Sequence, residues 1–167
     1  MRGAKFFRNF TERSRRRPRK KSLTRGDSGG KLRMMSLTFR TAVREGYLLM
    51  TYKGRYVPSM AARFAGQILA ACEKRHASKI LVDIREVTGR LSPLDRLDLG
   101  TTAGEKHRAL KSSKKIPGCR FAVVGKYPLI DPKRLAGTVA HGLGMDVKVS
   151  TDMSEALVWL GVDAASF

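Results

Sequence analysis

Apolar and polar positions change rhythm several times after residue 36, and each change marks an element. Phe39, Ala42 and Val43 lead through a Glu45-Gly46 turn into Tyr47-Leu48-Leu49-Met50-Thr51-Tyr52, which predicts a β-hairpin. Tyr56-Val57-Pro58-Ser59 then opens a stretch in which Met60, Phe64, Ile68, Ala71 and Cys72 recur near the helical period, while Arg63, Gln67, Lys74 and Arg75 fall on the other side. One amphipathic helix fits that spacing. Lys79-Ile80-Leu81-Val82-Asp83-Ile84 is rich in β-branched residues and scarcely alternates, as a strand in the middle of a sheet does.

A loop from Arg85 to Leu91 is expected next. Ser92-Pro93-Leu94-Asp95 then has the chemistry of a helix start: a Ser cap, a Pro at the first helical position and an acid at the third. That helix carries Leu94, Leu97, Leu99, Ala103 and His107 until Lys111-Ser112-Ser113-Lys114-Lys115 breaks it. Cys119 to Val124 reads as a second buried strand, and Asp131-Pro132 as the cap of a helix holding Leu135, Val139 and Leu143, ended by Gly142 and Gly144. Asp146 to Val149 is a short alternating strand. Thr151 to Glu155 repeats the capping pattern ahead of Ala156, Leu157, Trp159 and Leu160. The sum is an α/β fold: a mixed β-sheet with a leading β-hairpin and a βα series, whose right-handed crossovers make the later strands parallel. It occupies residues 36–162 and leaves a short tail, residues 163–167.

Charge adds a second region. The 167 residues carry a formal +20, and residues 1–35 hold thirteen Lys and Arg against two acids, more than half of the excess in a fifth of the length. Arg15, Arg16, Arg17, Pro18, Arg19, Lys20 and Lys21 form a like-charged block without apolar periodicity, which predicts a disordered basic arm. Arg15, Arg16, Arg17, Arg19, Lys20 and Lys21 are its candidate polyanion contacts, and a nucleic-acid partner held through residues 1–35 is one reading, salt-sensitive and indifferent to sequence. An organelle presequence is a second, opposed by the Pro inside the block. A third is that translation starts at Met34 or Met35, directly before the folded pattern begins. Phe6, Phe7 and Phe10 are scattered among polar residues and make no secretory core.

The remaining chemistry is sparse. No apolar run approaches the length of a membrane-spanning helix. Two cysteines, Cys72 and Cys119, sit in apolar runs as small hydrophobes and suggest a reducing, cytoplasmic setting. His76, His107 and His141 lack ligand spacing, so no metal is expected. Gly125-Lys126 follows a strand, but Tyr127 and Pro128 stand where a phosphate loop needs its Ser or Thr. Gly137, Gly142 and Gly144 do not follow a strand as a dinucleotide motif requires. Asp95 and Asp98 lie a turn apart with Arg96 between them, as solvated helix charges do. Tyr52 and Tyr56 beside Lys53 and Arg55 offer base-stacking surfaces, though aromatic content is only 7%, too low to build a nucleic-acid platform from them alone. These observations predict a chain that is not an enzyme and takes no cofactor.

The hairpin, the βα series, the segment Leu81-Val82-Asp83-Ile84-Arg85-Glu86-Val87-Thr88-Gly89 leading into a Ser-started helix, and the ending Val147 to Leu160 together resemble the STAS family, named for sulphate transporters and anti-sigma-factor antagonists. The ending is similar to that of stand-alone SpoIIAA-like proteins. The resemblance covers most of residues 38–160 and implies a regulatory protein that binds a protein partner near the Ser92 helix start. In the antagonists a Ser at this place is phosphorylated, so Ser92 is the candidate phosphorylation or partner site, with Asp83, Arg85, Arg90, Asp95 and Arg96 as candidate partner surface. Here Leu91 precedes the Ser and Pro93 follows it, where the family has an Asp-Ser pair. The residues themselves equally give Ser92 as a helix cap with Asp95 completing a box. SpoIIAA-like proteins also resemble the lipid-binding CRAL-TRIO fold, which implies an alternative: a small apolar ligand carried between the Tyr56–Leu69 and Leu91–Leu99 helices.

Overall fold

The computed structural model describes residues 37–116 and 118–162, so the basic arm with Arg15, Arg16, Arg17, Arg19, Lys20 and Lys21, and the tail, lie outside the described residues. In chain order the elements are β1 (Thr38–Arg44), β2 (Tyr47–Arg55), α1 (Ala61–Arg75), β3 (Lys79–Thr88), α2 (Pro93–Ser112), β4 (Arg120–Val124), α3 (Leu135–Gly142), β5 (Asp146–Ser150) and α4 (Met153–Leu160). The sheet runs β1-β2-β3-β4-β5, antiparallel in the hairpin and parallel from β2 onward. This is the mixed α/β sheet with a leading hairpin that the residue pattern predicts.

Because successive parallel strands are added in one direction with right-handed crossovers, α1, α2 and α3 fall on one face of the sheet. Met50, Tyr52, Ile80, Val82 and Phe121 point into that layer and are fully buried against it. Burying a Leu, Ile or Phe side chain stabilises by about 1.5–3 kcal/mol, so this layer is the main core. On the other face Leu49, Leu81, Ala122 and Val124 meet Ala156, Leu157 and Leu160 of α4. β1 forms an edge, with Val43 69% exposed there.

Three expectations are corrected. The segment after Ile84 is not a loop: β3 continues to Thr88, pairing Glu86, Val87 and Thr88 with Lys53, Gly54 and Arg55. Between the Thr51–Asp83 and Lys53–Glu86 pairs, β3 holds one more residue than β2, a bulge that shifts the alternation so that Val87 faces the same core as Ile84. The helix expected from Asp131 begins only at Leu135, after Arg134 in a left-handed conformation, and Asp131 still accepts the Leu135 backbone N–H at 3.2 Å. On α2, Leu94 and Leu97 point outward at 76% and 45% exposure, and the buried positions are Gly100, Gly104 and His107.

That last reversal comes from how closely α2 and α3 pack. A Cβ on Gly100 would lie 2.4 Å from the Ala136 carbonyl oxygen, and one on Gly104 would lie 2.6 Å from Leu143 Cβ. The contact is therefore made through missing side chains, which a search for recurring leucines cannot see.

Candidate functional site

The C-terminal ends of the parallel strands gather the residues singled out above. At the start of α2, Asp95 N–H donates to Ser92 Oγ at 3.2 Å, and Ser92 N–H donates to Asp95 Oδ2 at 2.8 Å, a complete capping box. Hydrogen bonding from the Ser92 side chain first, and then from its backbone N–H, holds the Asp95 carboxyl below its usual range. Ser92 is exposed, and so is Arg90.

Asp83 and Arg85 do something different. Arg85 gives Asp83 a two-pronged clamp, Nε to Oδ1 at 3.0 Å and Nη2 to Oδ2 at 2.8 Å, and its backbone N–H also donates to Oδ1 at 3.0 Å. The pair straddles the β3 bulge, so the carboxylate takes up a backbone donor that the irregular register leaves beside it. Burial pushes the Asp83 carboxyl up, but the Arg85 hydrogen bonds outweigh it and the group titrates below its usual range. Asp83 is only 7% exposed, and its contacts are internal.

Arg96 is also turned inward, with its side chain 13% exposed. Its Nε lies 3.1 Å from Asp131 Oδ2 as an ion pair, off the hydrogen-bonding direction, and Nη2 donates to the Pro128 carbonyl at 2.8 Å. The guanidinium thereby fastens the loop after β4 to the first turns of α2. Tyr127, next to Pro128, is 74% exposed. Leu94, Leu97 and Tyr127 thus stand as exposed apolar residues on two segments that Arg96 ties together, near Ser92 and Arg90. The residue pattern gives Leu94 and Leu97 only as apolar positions of a helix, and Tyr127 only as a departure from a phosphate loop.

Beneath this rim, between the sheet and the three helices, lies a cavity of about 110 Å³. Its wall is nearly all apolar, including Phe64, Ile68, Leu99, Ala103, Leu129 and Val149. Its polar contributors are Tyr56, Arg96, Asp131 and Arg134. Tyr56 is 4% exposed and its hydroxyl has no hydrogen-bond partner. The volume is below the roughly 150 Å³ of an engineered cavity that holds benzene, so an enclosed long acyl chain does not fit. Tyr52 and Tyr56 are both buried, which removes them as base-stacking surfaces.

Of the other reactive groups, Cys72 Sγ and Cys119 Sγ both donate to the Ala77 carbonyl, at 3.3 and 3.0 Å. The hydrogen bond between them, then burial, push the Cys119 thiol up, and the same hydrogen bond lowers the Cys72 thiol; both are buried. His107 is buried edge-on to Phe121 with Nδ1 unpartnered. Among the described residues no group of three His, Cys, Asp or Glu side chains is arranged to hold a metal ion, and no helix is long and apolar enough to cross a membrane.

No protein-family model matches the chain, and no curated protein matches it in sequence. Among solved structures it is similar to an anti-sigma factor antagonist from Mycobacterium paratuberculosis, at 18% identity over 75% of this chain and 95% of that one, with a TM-score of 0.47. It is also similar to an uncharacterized protein of the DUF3478 family with a SpoIIAA-like fold from Shewanella loihica, at 22% identity over 75% and 93%, with a TM-score of 0.40.

Proposed function

We propose that this chain is a non-catalytic, cytoplasmic regulatory domain that binds a protein partner through the end of the sheet where α2 begins. One observation carries the reading: Leu94 and Tyr127, at 76% and 74% exposure, are large apolar side chains in water on adjoining segments held in fixed relation by Arg96. Apolar residues grouped at one end of a fold and rimmed by polar ones, here Ser92 and Arg90, are what a partner covers with gain. Their support is rigid, through the capping box below Ser92 and the Arg96–Asp131 ion pair, so little ordering cost falls on binding. The inward-turned Arg96 serves this surface by holding the two segments together.

Affinity capture from cells with Leu94→Asp and Val158→Asp variants tests the reading. Val158 is equally exposed at 74%, but lies on α4 across the sheet. The expected result is a partner retained by the unaltered chain and by Val158→Asp and lost with Leu94→Asp. Retention by Leu94→Asp at full strength would contradict the proposal.

A further inference from the structure

The two edges of the sheet are finished differently. β5 is five residues long and at least half-buried throughout, whereas β1 runs seven residues with every position but Ala42 exposed. Its register with β2 is unbroken and it contains no Pro, so it lacks two of the devices, a bulge and a proline, that keep an edge from pairing. The hairpin turn decides which of its backbone groups are free. Only Glu45 and Gly46 separate Arg44 from Tyr47, so that pair exchanges both backbone hydrogen bonds across the hairpin. Alternation then commits Thr38, Arg40, Ala42 and Arg44 to β2, while Phe39, Thr41 and Val43 turn their N–H and C=O groups outward. Independently of the partner surface at α2, we propose that two copies of the chain associate by antiparallel pairing of β1 with β1 about a two-fold axis at Thr41, joining their five-stranded sheets into one.

Self-complementarity of the strand selects both the occupant and the register. Pairing Thr41 with its symmetry mate sets Phe39 opposite Val43 twice, so every outward-facing residue from Phe39 to Val43 exchanges hydrogen bonds with the other copy. Phe39 and Val43 are 38% and 69% exposed on the same face, and an aromatic ring opposite a β-branched side chain is a favourable cross-strand pair. On the other face Arg40 meets Ala42 and Arg44 meets Thr38. A slip by one residue would set free backbone groups against groups already bonded to β2. A slip by two, in either direction, would put Arg40 directly opposite Arg40 or Arg44 of the other copy, and like charges so placed repel. Among the described residues neither arginine has an ion-pair partner that would relieve this.

Sedimentation equilibrium of the full chain over a range of protein and salt concentrations tests the proposal. The expected result is a mass approaching twice that of the chain, with association tightening as salt screens the +20 charge of each copy. Thr41→Pro removes an N–H that β2 does not use, so the hairpin is retained, and association should weaken about tenfold or more. Thr41→Cys should form an interchain disulfide on mild oxidation, because a hydrogen-bonded pair holds its Cα atoms about 5.5 Å apart. Val43→Cys, whose symmetry mate lies elsewhere along the strand, should not. A chain that stays monomeric at every concentration, undiminished association of Thr41→Pro, or crosslinking of Val43→Cys as readily as Thr41→Cys would overturn the proposal; the first is the outcome if the edge is reserved for a strand of another protein.

Discussion

Asp131 joins two elements at once: its carboxylate lies 3.1 Å from Arg96 Nε on α2 and accepts the Leu135 backbone N–H that starts α3 at 3.2 Å. Since Arg96 also holds the Pro128 carbonyl, one acid fixes the loop between β4 and α3 against the end of the sheet where α2 begins. The proposed partner surface and the cavity both depend on that fixture, because Tyr127 rides on the loop and Leu129 of the same loop lines the cavity.

The two jobs of Asp131 can be separated. Asp131→Asn keeps an acceptor for Leu135 and loses the ion pair, whereas Asp131→Ala loses both. Urea unfolding should therefore find both variants destabilised and the Ala variant lower by about a further 1 kcal/mol, the worth of a cap. Equal stabilities for Asn and Ala would show that the cap contributes nothing.

Gly100→Ala sets two effects against each other. Ala is favoured over Gly in a helix by about 1 kcal/mol. Against that, the new Cβ would stand 2.4 Å from the Ala136 carbonyl oxygen, a backbone atom that moves only if α3 moves. Steric separation of two packed helices wins, and a net loss of about 2 kcal/mol is expected in denaturant melts. A neutral or stabilising result would mean α2 and α3 do not approach as closely as described.

His107 sets the pH dependence near neutrality. Burial, then the charge of Lys111, lowers its pKa from the usual 6.5, so the unfolded chain takes up a proton below about that pH while the folded chain does not. More protons on the unfolded state means stability rises with pH, and here it falls as pH drops from 6.5 towards the folded pKa and levels off below it. Melting temperature should decline between pH 7.5 and 5.5, and His107→Leu should flatten the decline. The lowered carboxyls of Asp83, Asp95 and Glu155 act in a more acidic window and do not mask it.

Ser92→Ala should cost about 0.5–2 kcal/mol through the lost cap, while Ser92→Asp, itself a good capping residue, should melt close to the unaltered chain. If the Ala variant is as stable as the Asp variant, the capping box seen between Ser92 and Asp95 is not what holds the start of α2.

Features that depend on near neighbours in sequence could be read directly from the chain. The Ser92–Asp95 box is a three-residue relation, and the hairpin turn, the α1 face and the β3 and β4 runs are carried by local spacing. The order of elements followed from these. What could not be read depends on partners distant in sequence. β3 continues past Arg85 because Lys53–Arg55 of β2 accept it across a bulge, and nothing within Arg85–Leu91 announces that. The buried face of α2 is written in Gly100 and Gly104, whose importance appears only when α3 lies against them. Arg96 reads as a surface cation until Asp131 and Pro128 are brought beside it. Tyr56 reads as a helix opener or a stacking residue, and its orphaned hydroxyl exists only in the folded chain. Among the candidate site residues, Ser92 and Arg90 lie on the surface, whereas Asp83 and Arg96 are held inside.

The most direct test of partner recognition is hydrogen–deuterium exchange of the chain with and without its captured partner. The account predicts slowed exchange confined to residues 90–98 and 125–130, with α4 and β1 unchanged. Protection that appears on α4 or along the β1 edge, and leaves the start of α2 untouched, would contradict it.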